Sequence, residues 1–294
     1  MRVYLCILIS EKNIKFLNVL LNSLNNIEIP KNYNLQLVFV MNTKIFFCKN
    51  TIKRVLNKIN YSILSCKKDN IPASRNIFLK FLKDRNFKYA GFLDDDCVIN
   101  RNWLLSMTKF IAHQKCDIVG GPQKHQVKNE KIKDYYEILE PNRFHGQKIK
   151  WVATNNCFFS KKILKKTNFF FEEKLSTYGG SDQLFFRNFY KKDFIIKWNS
   201  FALVTEQYQI GRECKSWFLK RNFRYGYSGN KIDEKIHGKF SSIIILSKMI
   251  FLLFCAILYI FFPNKKNYLK SLFFICRFSG RFAGLFHYKP RKYI

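Results

Sequence analysis

Three carboxylates stand in succession at Asp94, Asp95 and Asp96, directly after a short apolar run over residues 89–93. Adjacent carboxylates raise one another's pKa unless a cation shares their field. A hard divalent cation, Mg²⁺ or Mn²⁺, relieves that repulsion and binds carboxylate and phosphate oxygens together. The bland alternative is an acidic turn on a solvated surface. The chain holds 20 acids against 52 lysines and arginines, so composition alone does not explain three acids at one point. A further carboxylate, Asp182, follows Gly179 and Gly180, and two glycines permit a tight turn and close backbone approach. Asp182 fits either a general base or the cap of a helix. His113, His125, His145, His237 and His287 show no metal-ligating spacing. No Ser-His-Asp or Cys-His arrangement offers a protein nucleophile.

The elements that must hold these groups alternate along the chain. Residues 3–9 are a mostly apolar run suited to a buried parallel strand, and residues 12–25 place Ile14, Leu17, Leu20, Leu21 and Leu24 at helical spacing. Residues 35–41 read as a second strand. A helix over residues 73–86 follows Pro72, and a third strand over 89–93 ends in the three acids. A helix over 101–114 and a strand over 117–119 lead to Gly120, Gly121 and Pro122; residues 151–159 read as another strand. Helices are expected over 184–190 and 211–225, the latter dense in arginine and aromatic residues. This alternation predicts an α/β domain with a mixed, mainly parallel, Rossmann-like sheet. Such sheets bind ligands outside the carboxyl ends of their strands, where the three acids would lie. The polar, basic stretch 123–150 reads as an excursion over the active site.

The chain has 294 residues, is 48% hydrophobic and carries a net charge of +32, which is enough apolar material for a large core. So basic a balance favours a polyanionic partner, although Lys, Asn, Ile and Phe crowd the whole sequence. Nucleic acid is not expected as that partner, because no recognition motif is present and the acid cluster would repel phosphates unless it held metal. Nine scattered cysteines without a C-x-x-C pair suggest neither zinc nor a disulfide framework, and point to a reducing compartment. The first residues read as a strand and not as a signal peptide.

The C-terminal part changes character. Residues 243–262 contain only Ser247 and Lys248 as plainly polar members, and a membrane-spanning helix needs about 20 apolar residues. Lys248 would snorkel to the headgroups. After a break at residues 263–266, residues 268–288 mix Leu272, Phe273, Phe274, Phe278, Phe282, Leu285 and Phe286 with Arg277 and Arg281. That pattern predicts an interfacial helix with a basic face.

Read in order, several motifs resemble a known family. They are Asn70-Ile71-Pro72-Ala73-Ser74-Arg75-Asn76, Gly91-Phe92-Leu93-Asp94-Asp95-Asp96, Trp103-Leu104, Thr154-Asn155-Asn156-Cys157, Gly179-Gly180-Ser181-Asp182, Trp198 and Glu206. The series is similar to that of inverting family 2 glycosyltransferases, which have the GT-A fold. Arg212, Trp217, Arg221, Arg224 and Gly226 resemble the ending of the bacterial subgroup that includes succinoglycan-type glucosyltransferases. The likeness spans about residues 1–230.

The resemblance implies that Ser10 and Arg75 lie along the nucleotide and that Asp94 and Asp95 contact the donor. Asp94 and Asp96 would hold Mn²⁺ or Mg²⁺ on the diphosphate, and Asp182 would take the proton of the acceptor hydroxyl. Gly180, Arg212, Trp217 and Arg221 would brace the diphosphate or acceptor. Two departures matter. The family's nucleobase-reading Asp after the second strand is Asn42 here, before Thr43, and its Glu-Asp pair is Ser181-Asp182. The implied reaction moves a sugar from a nucleotide-sugar to a saccharide or lipid-linked acceptor, in cell-surface polysaccharide or glycolipid synthesis. It would take place at the cytoplasmic face of the cell membrane, with residues 1–230 catalytic and 231–294 forming a linker and membrane-associated helices. Two alternatives stand beside this reading. A nucleotidyltransferase would want a glycine-rich loop where the chain has Ser10-Glu11-Lys12-Asn13. A non-catalytic scaffold would accommodate the two lost acids.

Overall fold

The computed structural model describes residues 1–42, 47–262 and 264–286, with Ile210 described by its backbone only. Thr43, Pro263 and residues 287–288 of the expected last helix, His287 among them, lie outside the described residues. The chain divides into two compact units. Met1–Gln126, Arg143–Glu173 and Phe185–Gln207 form the first; Val127–Asn142, Lys174–Leu184 and Tyr208–Ile294 form the second.

The first unit is built on β1 (Arg2–Ile9), β2 (Asn34–Asn42), β3 (Asn60–Cys66), β4 (Tyr89–Asp94), β5 (Cys97–Ile99), β6 (Ile118–Gly120), β7 (Gln123–His125), β8 (Asn156–Ser160), β9 (Ile196–Trp198) and β10 (Val204–Glu206). Seven strands make one sheet in the order β3-β2-β1-β4-β8-β6-β9, and β5-β10-β7 make a second. β3, β2, β1 and β4 run parallel, and β8 runs antiparallel between β4 and β6. The expected mixed, mainly parallel α/β sheet is therefore present.

Its helices are α1 (Leu17–Asn25), α2 (Cys48–Val55), α3 (Ile71–Lys83) and α4 (Trp103–His113). One face of the sheet buries Leu5, Ile7, Leu37 and Phe39 with Leu20, Leu21 and Trp103; the other buries Tyr4, Val38 and Phe92 with Phe78, Phe185 and Phe186. Gly91 in β4 is required by packing, because a Cβ there would run into the Phe158 ring of β8.

Several strands differ from the sequence reading: the three-residue strands β5, β7, β9 and β10 are not part of it, and β3 and β8 depart from it as well. β3 was not foreseen, since it is the half-exposed edge strand and edge strands carry a weak apolar pattern. β8 starts only at Asn156. The residues before it serve packing and polar contacts, with Val152 lying against Gly120.

The second unit carries α5 (Glu130–Leu139), α8 (Lys215–His237), α9 (Ser241–Phe261) and α10 (Lys265–Leu285), while α6 (Lys162–Lys166) belongs to the first. α7 (Ser181–Tyr190) begins in the second unit and ends in the first. The expected excursion over 123–150 thus contains β7 and α5.

α8 runs twelve residues past the expected end at Tyr225, to His237, and the boundary expected at residue 230 falls inside it. Gly226, Ser228 and Gly229 look like helix-weakening residues in isolation. They are tolerated because α10 comes very close: a Cβ on Gly226 would meet the Arg277 carbonyl, and one on Gly280 would meet that of Phe223.

The expected outward basic face of α10 is corrected. Arg281 is buried, with Nη1 3.0 Å from Asp233 and 2.8 Å from Asn230 Oδ1, and Arg277 donates to Asn222 at 2.8 Å. Lys248, expected to snorkel, donates to Asp233 at 2.6 Å. A buried carboxylate needs cations around it; for Asp233, α9 supplies Lys248 and α10 supplies Arg281.

Candidate active site

The sheet order reverses between β1 and β4, which is the switch point where open α/β sheets bind ligands. β1 is flanked by β2 and β4, so Ser10, Asn42 and Asp94 all lie at the carboxyl end of the sheet. Leu8 pairs with Asp94 and Ile9 with Met41.

The three acids have different surroundings. Asp95 is 5% exposed and points back into the fold. Its Oδ2 accepts the backbone N–H of Ser10 at 2.7 Å and the Ser10 hydroxyl at 3.0 Å, and its Oδ1 accepts Asn13 Nδ2 at 2.6 Å. Burial pushes its pKa up to about 6, and the hydrogen bonds from Asn13 and Ser10 work against that. Asp94 is half-exposed and lies 4.0 Å from Arg75 Nη2. Asp96 is buried; its Oδ1 accepts a weak contact from Cys97 Sγ at 3.8 Å, and its carbonyl accepts Gln207 N–H at 2.7 Å.

Arg75 sits in the first turns of α3, whose N-cap Asn70 accepts Ala73 N–H at 3.0 Å and whose Pro72 suits a helix start. Its guanidinium lies 5.4 Å from the Phe171 ring, and Asn76 fixes Phe171 by a reciprocal pair of hydrogen bonds at 2.9 and 2.7 Å. Among the described residues, Arg75 Nε is buried without a hydrogen-bond partner. An orphaned donor of this kind is costly and marks a place where a ligand oxygen fits.

A polar chain that sequence reasoning did not assemble crosses the small sheet. Glu206 of β10 pairs with Cys97 of β5 on one side and His125 of β7 on the other. His125 Nδ1 lies 3.0 Å from Glu206 Oε2, Gln123 donates to the same carboxylate, and Asn155 donates to Gln123. The sequence motifs include Asn155 and Glu206; His125 shows no metal-ligating spacing in the sequence, and its partner Glu206 lies on another strand.

In the second unit, Gly179 and Gly180 take positive φ of 80° and 83°. A Cβ on Gly180 would come within 2.8 Å of Ile232 in α8. The Gly180 carbonyl accepts Leu184 N–H at 3.0 Å, so Gly180 occupies the capping position of α7. Asp182 stands in the first turn, partly exposed, and its Oδ1 accepts Gln183 N–H at 2.8 Å. Arg212 and Arg221 lie over Trp217, at 5.9 and 4.8 Å from its ring centre. Asp182 and this sandwich belong to the second unit, and the acid turn to the first.

The residues at the acid turn fit a hard divalent cation in one way. Among the described residues, no three His, Cys, Asp or Glu side chains form a closed cage. Asp94 and Asp96 offer oxygen donors only, so a diphosphate and water would have to complete the coordination. That is the usual mode for Mg²⁺ and similar ions.

The fold and this turn define an α/β transferase of GT-A type. The chain belongs to glycosyl transferase family 2, whose model matches residues 7–194, and it is a glycosyltransferase. No curated protein matches it in sequence. Among solved structures it resembles the 1–349 part of TarS from S. aureus in complex with UDP-GlcNAc, at 13% identity and a TM-score of 0.56, over 98% of this chain and 92% of that one. It also resembles the mannosyltransferase PcManGT from Pyrobaculum calidifontis in complex with GDP-Man and Mn²⁺, at 12% identity and a TM-score of 0.65, over 97% and 87% of the two chains. At these identities the likeness speaks for the fold.

Proposed function

We propose that the chain is an inverting, nucleotide-sugar-dependent glycosyltransferase of the succinoglycan-type subgroup, acting on a saccharide or lipid-linked acceptor. The observation that carries this reading is the Arg75 guanidinium, whose Nε is orphaned among the described residues and whose Nη2 lies 4.0 Å from the Asp94 carboxylate. A cation donor and a carboxylate side by side suit a diphosphate held with a divalent metal. The complexes with UDP-GlcNAc and with GDP-Man and Mn²⁺ formed by proteins of this fold support the same assignment.

In this reading Asp94 and Asp96 would hold Mn²⁺ or Mg²⁺, and such an ion would supply charge neutralisation to the leaving diphosphate. Asp95 fixes the turn from behind. Ser10, Asn42 and Arg75 bind the nucleotide, and Gly180, Arg212, Trp217 and Arg221 brace the diphosphate or acceptor. Asp182 accepts the acceptor hydroxyl proton as that oxygen bonds to the anomeric carbon, while the carbon–oxygen bond to the nucleoside diphosphate breaks. One displacement inverts the anomeric centre.

Residues 1–230 form the catalytic part in this reading, and the following helices attach it to the cytoplasmic face of the cell membrane. Support for the attachment comes from an apolar window within residues 215–260, which is long enough to cross a membrane and little buried. Such an enzyme serves cell-surface polysaccharide or glycolipid synthesis.

The test is a screen of nucleotide-sugars for metal-dependent donor hydrolysis, run with wild type and Asp96→Ala. Hydrolysis of one donor with Mn²⁺ or Mg²⁺, abolished by chelation and by the substitution, is expected. Equal donor affinity and rate in the variant would sink the proposal.

A further inference from the structure

The second unit contains a longer ladder of guanidinium and aromatic groups than the family resemblance uses. Beyond Arg212, Trp217 and Arg221, the ladder continues on α8 and crosses to α10. Arg221 lies 5.3 Å from the ring centre of Tyr225 and donates Nε–H to its hydroxyl at 2.5 Å. Arg277 of α10 lies 5.7 Å from the same ring. Tyr225 is 40% exposed, so the ladder opens to solvent at this rung.

Arg277 differs from its neighbour one turn on. Arg281 has the Asp233 carboxylate at 3.0 Å. Among the described residues no carboxylate pairs with Arg277. Its Nε instead donates at 2.8 Å to Asn222 Oδ1, and Asn222 is fully buried and donates to the Phe218 carbonyl at 2.9 Å. Burial lowers the pKa of Arg277, with Tyr225 acting in the opposite sense. A desolvated cation without an anion is unfavourable, and a second cation on the same tyrosine ring adds repulsion. An anion between them relieves both, and a fixed guanidinium fork matches phosphate oxygens.

The surface beside Arg277 is apolar. Phe274 and Phe278 flank it on α10. Phe278 stacks on Phe282 at 6.5 Å, and Phe274 stacks on Tyr259 of α9 at 5.8 Å. We propose that Arg277, with Tyr225 and Arg221, forms a phosphate subsite for an acceptor whose hydrocarbon chain lies along Phe274, Phe278 and Phe282: a lipid monophosphate or diphosphate. This rests on the reading of the chain as a glycosyltransferase with a lipid-linked acceptor. It assigns Arg221 to the acceptor side of that reading and adds Tyr225 and Arg277 as a site for the acceptor's phosphate.

The experiment uses full-length protein in neutral detergent, with dodecyl phosphate, inorganic phosphate and phosphatidylglycerol vesicles as probes. Wild type should bind dodecyl phosphate well above inorganic phosphate. Arg277→Gln should weaken it about tenfold, the scale of a charge-assisted hydrogen bond, and Arg277→Lys should restore part of the loss. Affinity for the metal–nucleotide donor should be the same in all three. If Arg277→Gln does not fold by thermal melt, Tyr225→Leu decides: it removes the rung between the two cations and should also weaken dodecyl phosphate. Unchanged dodecyl phosphate binding in a folded variant overturns the subsite. Equal binding of inorganic phosphate overturns the lipid assignment, as does an equal loss toward phosphatidylglycerol vesicles. Failure of wild type to bind any nucleotide-sugar would count against the parent reading alone, since it leaves the alkyl phosphate result standing.

Discussion

Ser10 and Asp95 are 85 residues apart in sequence and joined twice, through the Ser10 backbone N–H at 2.7 Å and its hydroxyl at 3.0 Å, to one carboxylate oxygen. The middle acid of the triplet therefore binds the end of β1 to the end of β4. Asp95→Ala strands these two donors and that of Asn13, and should cost about 1–3 kcal/mol of stability, the scale of unsatisfied buried groups. Asp94→Ala, at a half-exposed pair, should cost less than about 1 kcal/mol. Denaturant unfolding of the two variants checks this; equal losses would mean that Asp95 is not the structural member.

Asp182→Asn should leave the fold intact. The amide oxygen can still accept Gln183 N–H, and losing a charge in the first helical turn costs only about 0.3–1 kcal/mol. Transfer to an acceptor should fall by roughly 10²-fold or more if Asp182 is the base. The check is a melt beside an acceptor-dependent rate at saturating donor, with NMR of the new linkage for inversion. A fully active variant removes Asp182 from the mechanism.

Gly179→Ala and Gly180→Ala should differ. Both force a side chain into positive φ, which costs roughly 1–2 kcal/mol. Only Gly180 also faces Ile232 at 2.8 Å; Gly179 has open space. Gly180→Ala should therefore be the less stable by thermal melt, and equal melting temperatures would refute the packing argument.

The exposed stripe of α9 should carry membrane attachment. Ile250, Phe254 and Phe261 are 62%, 60% and 74% exposed. Burying one such side chain contributes about 1.5–3 kcal/mol, so Ile250→Glu with Phe254→Glu should weaken vesicle binding by at least about 100-fold. Stability should hardly change, because neither side chain packs inside. Vesicle flotation measures it, and undiminished flotation of the double variant would exclude this face.

The sequence by itself determined the groups whose meaning is local. The acid triplet follows an apolar run and stands at a strand end, the glycine pair opens α7 as a tight turn, and the apolar segment after residue 243 forms a long, little-buried helix. Periodicity and turn chemistry act within a few residues, so these features are legible without a fold.

What only the tertiary structure decided depends on partners far along the chain. Nothing in Asp94-Asp95-Asp96 says that Asp95 and Asp96 are buried while Asp94 stays half-exposed, or that Ser10 and Asn13 hold Asp95. His125 acquires a role only when β7 and β10 lie side by side. α8 continues through Gly226 and Gly229, and Arg281 is drawn inside, because α10 packs against it and Asp233 supplies the charge. Pairings of this kind have no local period to read, since close packing and the need to neutralise buried charge act between surfaces that meet only when the chain has folded.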